Sequence, residues 1–237
     1  MSEVRAGGKG ARSNARLRIR RKQAIETWLK FSLVDLLVAS ELKDADLVPL
    51  RLSLLHQGLE KLGKAYLIGA QAESFEHLDA RQASEWIDQC ARRYEHGLSN
   101  LLALVGVGVP ALRGYQNHPS VGLLETAYLG GRYPSPTSKG MFSRHVAEDV
   151  FGGSHASVAF AIARTILTAI ENDFGVSVLA RGEFFFPTIS PERWQKFVDR
   201  IQRQRPSQEE SLAKFHADIT ELFRREAGLP ARDGPTD

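Results

Sequence analysis

His145 and Asp149 lie one helical turn apart, and Ser154-His155 follows within ten residues. Together they supply a hydroxyl nucleophile, an imidazole base and a carboxylate to orient it. The segment lacks the strand–turn–helix pattern that exposes a hydrolase serine, so the residue types are present without their scaffold. His96, His118 and His145 could meet at a metal, but no two of them have the spacing by which one helix presents two ligands. Histidines scattered through core and surface are the simpler account. The glycines at 106 and 108, 130 and 131, and 152 and 153 lack the Lys-Ser/Thr that completes a phosphate loop. Phe184-Phe185-Phe186 offers ring faces for bases, and equally for packing onto a helix. None of these sets implies a cofactor or a resident metal.

The bulk properties narrow the classes further. The chain has 237 residues, of which 43% are hydrophobic and 25% charged, enough for a sizeable core. Its one cysteine, Cys90, excludes an intramolecular disulfide and a thiolate-rich metal site, and reads as a small buried residue. No apolar run approaches the roughly 18 residues that cross a bilayer, and the first residues lack the apolar core of a secretory signal. The expected address is the cytoplasm. Charge is uneven: residues 1–22 carry eight cations against the single acid Glu3, a net of +7, which leaves −4 for the rest. That composition reads as an arm unable to order itself, either gripping phosphates by charge or simply solvated.

The elements that must position these residues are helical. Ile25, Trp28, Leu29, Leu33, Leu36 and Leu37 recur every three or four residues and predict a helix over 23–42. Leu52, Leu55, Leu59, Leu62, Tyr66 and Leu67 predict a second over 48–69, with Pro49 in its first turn. Trp86, Cys90, Tyr94, Leu98, Leu101, Leu102 and Val105 predict a third over 83–105, stopped by Gly106-Val-Gly-Val-Pro110. A fourth is expected over 121–132 and a fifth from His155 to 173, with Ser154 as its N-cap. Residues 176–179 and 183–186 read as a small β-hairpin. Ser190-Pro191 opens a helix to about 204, and Ser207 with Glu210 forms a capping box for a last one ending near Gly228. The expected fold is an all-α antiparallel bundle, divided into an arm (1–22), a bundle (23–173) and a C-terminal helical extension packed on it (174–237).

Four patterns follow one another along these helices. Trp28 leads a helix carrying Val34-Asp35-Leu36. The second helix reads Gln57-Gly58-Leu59-Glu60-Lys61-Leu62-Gly63-Lys64-Ala65. Tyr94-Glu95-His96-Gly97-Leu98 opens the third leucine stripe, and the fourth helix runs from Tyr128 to Arg132-Tyr133-Pro134. In order and approximate spacing they resemble the HEPN family, a group of nucleotide-binding helical bundles, over residues 23–140 and towards 173. The C-terminal third has no counterpart.

The resemblance implies RNA or nucleotide binding, with metal-independent endoribonuclease activity of the toxin kind as its catalytic form. Ribonucleases of the family use an Arg followed four to six residues later by a His: a cation for the phosphate and an imidazole for the 2′-hydroxyl proton. Arg113 and His118 have that spacing. So do Arg51 and His56, whereas Arg132 has no His in reach. The implied site therefore uses Arg113 or Arg132 on phosphate and His118 as general acid/base, with Glu60, Lys64, Tyr128 and Tyr133 shaping the pocket. A homodimer and a nucleotidyltransferase-type antitoxin partner are implied as well. The alternative is a non-catalytic helical module that dimerises or scaffolds another protein.

Overall fold

The computed structural model describes residues 7–44, 47–70, 85, 97–132, 154–182 and 186–203, with side chains from 21 onward except at 129–132, 154 and 181. Expectations for Trp86, Cys90, Tyr94, His96, Tyr133, His145, Asp149, Phe184, Phe185 and the helix opening at Ser207 fall outside these residues. The described chain is an all-α bundle: α1 (Gly7–Glu41), α2 (Val48–Ala70), α3 (Leu98–Gly108), α4 (Pro119–Arg132), α5 (Ser154–Phe174) and α6 (Pro191–Arg203). Short 3-10 turns lie at Pro110–Leu112 and Tyr115–Asn117, between α3 and α4, and at Leu179–Arg181, between α5 and α6. No described helix is long and apolar enough to cross a membrane.

α2 is the axis of the bundle and packs against α1, α3, α4 and α5. Its leucines Leu52, Leu55, Leu59 and Leu62 are 0–1% exposed, and burial extends around it to His56, Glu60 and Lys64. A helix walled in on several sides must be apolar all round or satisfy its polar groups internally. α1 runs antiparallel to it: Trp28 lies beside Lys64, while Leu36, two turns further on, lies beside Gly58. At Gly58 the backbones come close. A Cβ there would sit 2.7 Å from Leu36 Cγ, and the Ser32 hydroxyl donates to the Gly58 carbonyl at 2.7 Å.

Four expectations need correction. The basic arm is not separate from the bundle helix, because α1 is one helix of 35 residues that begins at Gly7. Ala11, Arg12, Ala15, Arg16, Leu17 and Arg18 are good helix formers, and extending an existing helix avoids the costly nucleation step. Poor burial, the basis of the disorder expectation, does not oppose propagation of that kind. The third helix does not run through 97: Gly97 is extended (φ −77, ψ 97) and α3 starts after it. Its start is fixed by Glu125 of α4, whose carboxylate accepts the Ser99 N–H at 2.6 Å. A cap donated by a distant helix leaves no trace in local periodicity.

The glycines at 106 and 108 do not stop α3 either. It runs to Gly108, and Pro110 ends it by lacking an N–H and disfavouring helical backbone at Val109. The hairpin over 176–186 is absent from the described residues. Gly175, at φ 64, closes α5 in the left-handed conformation. Val176 and Val178 are then buried in the bundle, and Leu179–Arg181 turns as 3-10 helix. The Leu179 carbonyl accepts the Trp194 indole N–H at 3.1 Å, so this backbone serves α6 rather than a partner strand.

α6 belongs to the same core. Trp194, Phe197, Val198 and Ile201 follow helical spacing and join the cluster that begins at Ile25. Ser190 caps it, its hydroxyl accepting the Arg193 N–H at 3.3 Å. Arg193 forks onto Glu41 with two 2.5 Å bonds, and Arg200 donates to the Ser40 carbonyl, so α6 closes the end of α1.

Candidate functional site

Glu60 and Lys64 stand one turn apart on α2 and are 7% and 6% exposed, with Lys64 Nζ 2.6 Å from Glu60 Oε1. Lys64 also lies 5.9 Å from the ring centre of Trp28 on α1, within range of cation–π attraction. One turn before Glu60, His56 is fully buried, with Nδ1 3.9 Å from Glu60 Oε2. Its ring stacks on Tyr128 of α4 at 4.4 Å and 15°. Residues on three helices thus form one cluster: His56, Glu60, Lys64 and Tyr128 are buried, and the half-buried Trp28 lies at its edge. The sequence pattern points to Glu60, Lys64 and Tyr128, and to His56 only through its spacing from Arg51. The available signal was its spacing of four from Glu60, which puts the two on one face.

The same motif contains a second junction. Lys61 forms an ion pair with Asp35 of α1. Burial raises the Asp35 carboxyl above its ordinary value despite Lys61, so loss of solvent outweighs the ion pair at this site.

Arg113 and His118 flank the 3-10 turn that leads into α4. Arg113 is exposed and donates through Nε to the Gly106 carbonyl at 3.2 Å. It thereby supplies a cation to the C-terminal turn of α3, as Glu125 supplies an anion to its first turn. His118 is 3% exposed, and its Nδ1 accepts the Ser120 N–H at 3.1 Å. An accepting Nδ1 puts the proton of the neutral ring on Nε2, which is buried and has no hydrogen-bond partner among the described residues. Burial lowers the His118 pKa and favours that neutral form. The Ser120 hydroxyl, 1% exposed, lies 2.7 Å from Nδ1 of the equally buried His155 on α5. Ser120 therefore ties the two imidazoles and pins the start of α4 to α5. This link was missed because Ser120 lies 35 residues from His155.

The expected site residues thus fall into two groups. Glu60, Lys64 and Tyr128 share the α1–α2–α4 cluster, while Arg113 and His118 stand at the junction of α3 and α4. Arg132 is the last residue of α4, one turn after Tyr128. Comparison of the chain with family profiles, with curated proteins and with solved structures returns no match.

Proposed function

We propose that the chain is an RNA- or nucleotide-binding bundle of HEPN type. One observation carries the reading: motif residues from three separated stretches of sequence, Trp28, Glu60–Lys64 and Tyr128, meet in one cluster. The cluster fixes the rotation of α4. Arg132 follows Tyr128 by four residues, so it occupies the same helical face about 6 Å further along the axis. In this reading Arg132 holds phosphate and Tyr133 stacks on a base, while Glu60 and Lys64 set the wall behind them.

Binding is favoured over cleavage. Arg113 is engaged with the end of α3, and His118 is 3% exposed with Nδ1 occupied. A ribonuclease would need that imidazole at a 2′-hydroxyl. The homodimer built around α4 and the nucleotidyltransferase-type antitoxin partner remain part of the proposal.

The test measures RNA affinity and melting temperature on one sample of Arg132→Ala. A loss of about 1–3 kcal/mol in binding with an unchanged melting temperature is expected, the scale of a charge-assisted contact. A lower melting temperature with unchanged affinity would make Arg132 a structural residue and remove this site. The second reading, a protein-interaction module, rests on Phe31 and Val34, which are 59% and 37% exposed one turn apart on α1. It predicts stable self-association without RNA binding.

A further inference from the structure

α1 begins 18 residues before Ile25, the first buried core residue among those whose side chains are described. Within that stretch Lys9, Arg12, Arg16 and Arg20 recur at spacings of three, four and four. Helical backbone places such positions on one face, here over about 16–17 Å of axis. Continued at the same spacing, the line reaches Gln23 and Thr27, both exposed. The opposite line runs from Arg18 and Lys22 to Ile25 and Leu29, which are 1% and 0% exposed. The rotation of α1 is fixed by that core, so the four-cation line lies on the side away from it.

We propose that the N-terminal part of α1 is a preformed RNA-binding helix whose Lys9–Arg12–Arg16–Arg20 line follows the phosphate backbone. The inference rests on the RNA-binding reading above and adds a second contact region to it. A helix continuous with the bundle avoids the ordering cost that a disordered basic arm meets on binding. A lipid surface fits less well. The large apolar residues of the stretch, Leu17 and Ile19, are two apart and so fall on opposite sides, leaving no apolar face to enter a bilayer.

The experiment compares two double variants of the full chain that remove equal charge, Arg12→Ala/Arg16→Ala and Arg18→Ala/Lys22→Ala. Binding to a single-stranded RNA is titrated over a range of salt. The first pair should lose on the order of ten- to thirty-fold in affinity near 0.1 M salt and about 1.4 in log–log slope, and the second much less. Ala15→Pro, which keeps every charge but interrupts the helix, should also weaken binding. Equal losses for the two pairs, or full affinity in Ala15→Pro, would overturn the helical line while leaving RNA binding standing. No RNA binding by the unmodified chain, with or without capture by phosphatidylserine vesicles, would overturn both.

Discussion

On α2, Lys64 is 6% exposed and its ammonium lies 2.6 Å from the equally enclosed Glu60. At the other end of α1, residues 1–22 set eight cations against one acid. The two regions lie on helices that pack together, yet their charges answer to different constraints. A charge enclosed in the bundle must be paired, because leaving it alone in low dielectric is costly. Once paired, it fixes the geometry of its neighbours, here Trp28 and the His56–Tyr128 stack. A segment with a large net positive charge attracts a polyanion. The contact between Glu41 and Arg193 lies between these cases. Its bidentate bonds hold the Glu41 carboxyl below its ordinary value, and both side chains remain partly in solvent.

The strongest way to break this contrast is Lys64→Met. Removing one partner leaves Glu60 buried without its cation and should lower stability by about 3–5 kcal/mol. Glu60→Gln/Lys64→Met should recover much of that loss, since the replacement leaves no unpaired buried charge. Denaturant unfolding measures both; a small effect of the single change would show that water reaches the pair.

A smaller effect, expressed through pH, is expected at His118. Its folded pKa lies below the unfolded value of about 6.5 because burial disfavours the charged ring. The unfolded chain therefore takes up the proton first. The associated stability is fully present above about pH 6.5 and is lost as pH falls from there through the folded pKa. His118→Gln should flatten the decline of melting temperature below pH 6.5, although it also disturbs the bond to the Ser120 N–H. An equally steep decline in the variant would assign the titration to another group.

The sequence is most informative where one helix carries its own signal. The stripe from Leu52 to Leu67 and the Ser190-Pro191 start are legible because burial and capping there depend on residues three or four apart. The break at Gly97 is not, because Glu125 holds the start of α3 from 26 residues away. The helical arm escapes a reading of composition for a related reason. Composition reports how much surface a segment can bury, while the helix from Gly7 continues from one that Ile25, Leu29 and Leu33 hold in place. In the candidate site, Glu60, Lys64 and Tyr128 are recognisable from their pattern. The His56–Tyr128 stack and the Ser120–His155 contact are not, since each forms between helices far apart in sequence.

The most direct test of the account is a salt series of RNA binding for the full chain and for residues 23–237, with melting temperatures measured alongside. The truncated protein should keep its melting temperature, because it retains every described core residue of α1, from Ile25 onward. It should bind RNA more weakly, with the log–log salt slope shallower by about 0.7 for each phosphate that the arm no longer neutralises. Identical slopes, or a truncated protein that no longer folds, would contradict the division between charges that hold the bundle and charges that meet the ligand.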